Sequence, residues 1–113
     1  YIFHPINVAL GVNGVRAKTV ALLHDVLEDS ELYSIKDFNF LDKEQMDAIL
    51  LLTHNTDEEY FDYINRVKTN KIALAVKLSD LRHNSNLKRL KTITEKDINR
   101  RNKYLKAMEI LEN

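Results

Sequence analysis

The chain has 113 residues, 44% of them hydrophobic, which is enough apolar material to bury one core but not two. Seventeen Lys and Arg balance seventeen Asp and Glu, so no net basic field indicates a nucleic acid or an anionic membrane as partner. The absence of cysteine excludes disulfides, thiolate metal sites and thiol nucleophiles.

Only two Gly and one Pro occur, while 30% of the residues are charged, a composition that favours helices over a turn-rich sheet. We therefore predict an all-α fold, a single compact bundle of about five to seven helices spanning residues 1–113. No apolar run is long enough to cross a bilayer, and we expect a cytoplasmic protein.

The first predicted helix begins beside His4, because Pro5 is well tolerated at the first helical position, where its missing N–H would be unpaired anyway. Gly11 and Gly14 bracket a break in the pattern. Residues 16–25 (RAKTVALLHD) then carry an apolar run typical of a helix buried on most sides. We interpret this segment as the central helix.

Further along the chain, four pairs of residues have the spacing of a helix N-cap and its reciprocal partner. They are Ser34 with Asp37, Asp42 with Gln45, Thr56 with Glu59, and Thr94 with Asp97. The pattern predicts a short turn at 35–38 and helices near 43–53, 57–68 and 95–111. Residues 71–90 supply another long periodic segment.

His24 and Asp25 stand at the end of the apolar sequence VALLHD, where burying an imidazole and a carboxylate is costly unless something binds them. A divalent cation is the natural partner. Glu28 and Asp29 lie one helical turn further on, so all four polar groups project from one end of the segment. The alternative is that His24 and Asp25 cap the helix and that the two acids form a solvated turn.

A second apolar segment, IALAVKLSDLRHN, again contains an acid, because Asp80 lies on the face where Ala73 and Val76 predict core. Such a carboxylate also needs a cation. Asn84 lies one turn beyond Asp80 on the same face, where it could hydrogen-bond a ligand, although a lone Asn is more often a surface or capping group.

Three motifs in this order, HP(x)2VA, ALLHDxxED and VKLxDxxxN, resemble the hydrolase domain of the RelA/SpoT homologues. These are HD-superfamily enzymes that degrade (p)ppGpp, and the likeness is strongest to their short stand-alone versions. The resemblance implies that the metal ligands are His4, His24, Asp25 and Asp80. It further implies that Glu28 and Asp29 are the catalytic acidic pair and that Asn84 is a substrate-side amide.

The implied cofactor is one divalent cation. Two imidazoles and two carboxylates suit Mn²⁺, Fe²⁺, Zn²⁺ or Mg²⁺, and the resemblance favours Mn²⁺. The implied reaction is hydrolysis of the 3′-diphosphate of (p)ppGpp to GDP or GTP and pyrophosphate. The family usually carries a basic segment before the first motif, and we expect the chain as given to lack it.

Two other hypotheses remain open at this stage. An HD phosphohydrolase could act on another nucleotide, because fold and metal centre are shared across many such enzymes. The chain could instead be a metal-binding fragment without turnover. In every case we expect a small-molecule nucleotide, rather than a nucleic acid or a membrane, as the partner; the sequence leaves the oligomeric state undetermined.

Several other side chains could contribute to the site. Lys77, beside the Asp80 motif, is the favoured cation for binding a pyrophosphate-bearing substrate. His54 and His83 could enlarge the metal site, but no fifth protein ligand is needed, and a helix cap is favoured for His54. The aromatic residues at 60, 61 and 63 fit the apolar face of a helix better than a nucleobase platform, and the basic runs at 88–91 and 100–103 fit a solvated face.

Overall fold

The protein, described here for residues 3–29 and 34–113 of a computed structural model, is built from helices. The α-helices are α1 (His4–Leu10), α2 (Val15–Asp29), α3 (Lys43–Leu52), α4 (Tyr60–Val67), α5 (Lys71–Asn84) and α6 (Glu95–Glu112), with short 3₁₀ helices at Ile35–Asp37 and Leu87–Arg89. No strand occurs among the described residues. The predicted all-α class is confirmed. None of the described helices combines the length and apolar composition needed to cross a bilayer.

Helix α5 lies at the centre of the fold, since α1, α2, α3, α4 and α6 all pack against it. Its buried side chains include Ala73, Val76 and Leu81. A small side chain such as that of Ala73 lets a neighbouring helix approach closely. The helix begins after Asn70, whose side chain accepts hydrogen bonds from the amides of residues 72 and 73. The sequence identified this segment as a long periodic stretch but placed the central helix three α-helices too early, in α2.

The predicted helix starts at Asp42 and Thr94 are confirmed. Each side chain accepts a hydrogen bond from the backbone three residues on, and Gln45 and Asp97 return one to the cap. The start predicted at Thr56 is wrong, because α4 begins at Tyr60 and Glu59 is its N-cap. The residues between form a turn closed by the Glu58 amide and the Asn55 carbonyl.

Helix α1 is fixed on α5 by a close approach at Gly11. The Ser79 hydroxyl donates to the carbonyl of Val8 at 2.7 Å, and a Cβ placed on Gly11 would overlap that hydroxyl. At the same end of α1, the ammonium of Lys18 donates to the carbonyls of Ala9 (2.9 Å) and Val12 (2.7 Å). The Ser79 contact sets the position of α1 along α5, and the Lys18 contacts attach the same end of α1 to α2. Because Asp80 follows Ser79, its position relative to α1 is set as well.

We expect Gly11→Ala to lower the free energy of unfolding by about 1 to 3 kcal/mol, the usual cost of overpacking a tight contact. Urea denaturation followed by circular dichroism measures it. In the Gly11→Ala/Ser79→Ala double variant the overlapping hydroxyl is gone, so the combined loss should be smaller than the sum of the two single losses. Additive losses would contradict the close approach.

Candidate metal centre

Two of the predicted metal ligands meet although they lie 76 residues apart in the sequence. His4 stands in the first turn of α1 with its side chain 8% exposed, and Asp80 stands on α5 with its side chain 20% exposed. His4 Nε2 lies 2.6 Å from Asp80 Oδ1, a short hydrogen bond with a carboxylate acceptor. The register set by Gly11 and Ser79 is what brings this pair together.

The other two predicted ligands, His24 and Asp25, lie on α2 and face the same region. Together with Asp80 and Lys77 they line a small cavity of about 10 Å³, whose remaining wall is apolar. The apolar lining consists of Val8, Ala21, Leu52 and Val76. A volume of this size has room for one water molecule or one ion of similar size.

The described residues do not present a finished coordination sphere. Within residues 3–29 and 34–113, no three side chains of the His, Asp or Glu type are arranged so that they could hold one ion together. His24 Nδ1 lies 3.6 Å from Asp25 Oδ1, while His4 is turned towards Asp80 and His83. A divalent cation therefore fits this place in two respects. The nearby donor atoms are nitrogen and oxygen, and the cavity has room for one ion.

Asp80 is the common acceptor of the site. Besides His4, Lys77 donates to its Oδ2 at 3.0 Å and Asn84 to its Oδ1 at 3.1 Å. Burial alone would raise the pKa of Asp80, but the hydrogen bond from His4 and the charge of Lys77 outweigh it and lower the pKa to about 2. The carboxylate is thus held in its charged form, which is the form that binds a metal.

Lys77, predicted to bind substrate, is engaged inside the protein. Its side chain is 14% exposed and its ammonium lies 5.2 Å from the centre of the Tyr63 ring. Burial lowers the pKa of Lys77, but the charge of Asp80 more than compensates and raises it above the ordinary value. The ammonium would have to leave Asp80 to reach a ligand, so the structure gives Lys77 the role of orienting that carboxylate.

His83 is closer to the site than the sequence suggested. Its Nδ1 lies 2.5 Å from Nδ1 of His4, and the two rings are 4.6 Å apart. The signal was present in the spacing, because residues 80, 83 and 84 share one face of a helix. His54, by contrast, lies outside the site: its Nε2 contacts the Glu58 carbonyl at 2.9 Å. It bridges the turn before α4 rather than capping a helix.

Glu28 and Asp29, the predicted catalytic pair, fall in the last turn of α2. Their side chains lie outside the described part of the structure, as do residues 30–33. Their catalytic assignment stays a prediction.

The aromatic residues of α4 lie where the helical pattern placed them. Tyr63, Ile64 and Val67 are buried in the core, and the Tyr63 hydroxyl donates to the Leu52 carbonyl at 2.6 Å. The Tyr60 hydroxyl is also buried but has no hydrogen-bond partner among the described residues, and burial raises its pKa to about 12. Core packing accounts for these rings.

A larger cavity of about 320 Å³ opens beside the metal site. Its lining consists of Asn84, Asn86, Leu87, Leu90, Asp97, Arg100, Arg101 and Tyr104. Asn84 connects this cavity with the metal site, since it lines the cavity and also donates a hydrogen bond to Asp80. The sequence pattern predicted a solvated face for Arg100 and Arg101. The spacing of Arg100 and Tyr104 could have indicated the cavity, because the two residues share one face of α6.

No protein-family model matches the chain, and no curated protein is similar to it. The likeness to the RelA/SpoT hydrolase domain therefore stands on the three motifs alone.

We expect Asp80→Ala to lower the free energy of unfolding by about 3 to 5 kcal/mol in the presence of a chelator, because it leaves the Lys77 ammonium buried without its acceptor. Urea denaturation provides the measurement. Lys77→Met in the Asp80→Ala background should recover part of the loss, since no unpaired charge then remains.

The matched control is the exposed pair of Arg82 and Glu112, which are 3.7 Å apart with side chains 59% and 55% exposed. Glu112→Ala should cost less than about 1 kcal/mol. Similar losses for Asp80→Ala and Glu112→Ala would show that the Asp80 cluster is not a buried network.

Proposed function

We propose that the chain is a metal-dependent phosphohydrolase of the HD class that hydrolyses the 3′-diphosphate of (p)ppGpp. The observation that supports it best is the meeting of the HP and VKLxD motifs, where His4 Nε2 lies 2.6 Å from Asp80 Oδ1. The cavity beside this contact is lined by both residues of the HD motif, His24 and Asp25. Motifs far apart in sequence thus converge where the resemblance expects one centre.

The residues that would hold the ion are His4, His24, Asp25 and Asp80, and the resemblance favours Mn²⁺. The chemistry supplied by a bound divalent cation is polarisation of a phosphate oxygen and activation of water at neutral pH. Lys77 and Asn84 orient the Asp80 carboxylate through the two hydrogen bonds described above. Such support of a ligand by its neighbours is usual in metal sites.

In the proposed reaction, a water oxygen attacks the phosphorus attached to the ribose 3′ oxygen. The bond between that phosphorus and the 3′ oxygen breaks, the water oxygen leaves in pyrophosphate, and the 3′ oxygen takes up a proton to give GDP or GTP. Glu28 and Asp29 are assigned to receiving the proton of the water and passing one to the leaving oxygen, the role that the resemblance implies.

The cavity beside Asn84 suits the rest of such a substrate. A volume of about 320 Å³ lies within the range of small-molecule sites. Guanidinium groups such as those of Arg100 and Arg101 bind phosphate oxygens with two hydrogen bonds each, and a ring such as that of Tyr104 can pack against a base or a sugar. These features favour a nucleotide with phosphates at two ends.

We expect the protein to release pyrophosphate from ppGpp when Mn²⁺ is present and not when it is chelated. Asp80→Ala should lose both bound metal and activity. Glu28→Ala should keep the metal and lose activity by about 100- to 10,000-fold, the usual contribution of a general acid or base. The matched control is Asp57→Ala, which removes an exposed carboxylate in the turn before α4.

Pyrophosphate release and bound metal are measured together in all four proteins. A protein that binds no divalent cation would contradict the metal centre. Metal binding with intact ppGpp but phosphate or pyrophosphate release from another nucleotide would contradict the substrate and leave the HD chemistry in place.

Arg100→Ala and Arg101→Ala should each raise the KM for ppGpp by about 10- to 100-fold, because each removes a charge-assisted hydrogen bond to a phosphate. Bound metal and kcat should change little. Arg82→Ala, the loss of an exposed Arg outside the cavity, should leave the KM unchanged. Steady-state kinetics on the three variants decide, and a lower kcat with unchanged KM would place the two arginines elsewhere in the reaction.

A further inference from the structure

The zero net charge of the chain conceals a strong separation of charge. Between residues 25 and 62 there are twelve Asp and Glu but only two Lys. Between residues 86 and 106 there are eight Lys and Arg but only two acidic residues. The first stretch covers α3 and the beginning of α4, and the second covers the 3₁₀ helix at Leu87–Arg89 and most of α6.

Part of the second stretch lies at the larger cavity, whose lining includes Leu87 and Leu90, the sequence neighbours of Lys88 and Lys91. We call Lys88, Lys91, Lys96, Arg100 and Arg101 the basic surface; all five are exposed. Arg100 and Arg101 also line the cavity. Within the part of the chain that the structure describes, none of the five forms a close ion pair, although the charge of Arg100 helps to lower the pKa of Asp97.

Much of the remaining charge has partners within the chain. Asp42 and Glu44 are paired with Arg16, and Glu58 accepts two hydrogen bonds from Arg66. Lys103 and Lys106 lie over aromatic rings of α4, with their ammonium groups 4.3 Å from the centre of the Tyr60 ring and 4.7 Å from that of Phe61. The five cations of the basic surface thus have no close ion-pair partner among the described residues.

We propose that the basic surface is an electrostatic guide that draws nucleotides carrying several phosphates to the cavity lined by Arg100, Arg101 and Tyr104. This deepens the proposed function, because it names how the substrate of that site arrives. A charged approach surface next to a cavity raises association rates by about 10- to 1,000-fold at low ionic strength.

The form of the surface favours a nucleotide over a nucleic acid. Proteins that bind single strands carry a basic groove that follows the backbone over several nucleotides, with stacking rings along it. Here Arg100, Arg101 and Tyr104 face one cavity of about 320 Å³, and Asp97 stands in the same lining. A single cavity of this size fits a mononucleotide.

The test is stopped-flow association of GTP bearing a methylanthraniloyl fluorophore on its ribose, at ionic strengths from 0.01 to 1 M. The Debye length falls over this range from about 30 Å to about 3 Å. Lys91→Glu/Lys96→Glu should lower the association rate constant about tenfold at the lowest ionic strength and leave it unchanged at the highest. The dissociation rate constant should stay the same at every ionic strength.

The matched control is Lys36→Glu/Lys43→Glu, two exposed lysines outside the basic surface that change the net charge by the same amount. This pair should change the rate by less than about twofold. Lys91→Gln/Lys96→Gln makes half the change in charge and should give about half the change in the logarithm of the association rate constant. Circular dichroism establishes that each variant is folded.

Equal losses in the Lys91/Lys96 and Lys36/Lys43 pairs would overturn the proposal, because only net charge would then matter. Tight binding of a single-stranded RNA oligomer that depends on Lys91 and Lys96, with unchanged nucleotide association, would overturn it in favour of nucleic acid. Guided nucleotide association without pyrophosphate release would support the basic surface and contradict the hydrolase. Pyrophosphate release together with a nucleotide association rate that does not depend on Lys91 and Lys96 would overturn the basic surface alone.

Discussion

The carboxylate of Asp80 is the group on which the rest of the site depends. It accepts hydrogen bonds from α1 through His4 and from its own helix through Lys77 and Asn84. A buried carboxylate with this many donors stays charged and keeps a fixed orientation, because each remaining lone pair is directed by a partner. Since α5 packs against every other α-helix, the position of Asp80 is tied to the whole core.

The two cavities are linked through this carboxylate, because Asp80 lines the small one and Asn84, which donates to Asp80, lines the larger one. The small one holds the HD pair on one side, and the larger one begins at Asn84 on the other. A ligand in the larger cavity would therefore lie next to the proposed ion without contacting the buried core. The proposed chemistry needs two such spaces. The small, largely apolar one would take the ion, and the open, positively charged one would take the phosphorylated substrate.

Local signals predicted well and tertiary ones did not. The capping boxes at Asp42 and Thr94 involve residues three apart, so sequence alone was sufficient. The start predicted at Thr56 failed because Arg66 holds Glu58 in the turn and Glu59 supplies the cap instead. Spacing places His83 on the face of Asp80 and Arg100 on the face of Tyr104, but it does not say which helices become neighbours.

The short length of α1 has a consequence for the site that it carries. This helix has seven residues, is attached through Ser79 and Lys18, and contributes His4. A short helix can open locally more often than a whole domain unfolds. Each such opening would remove one ligand while α5 stays intact, so docking of α1 and affinity for the ion are thermodynamically linked. A bound ion would then slow amide hydrogen exchange in α1 more than in the helices behind it.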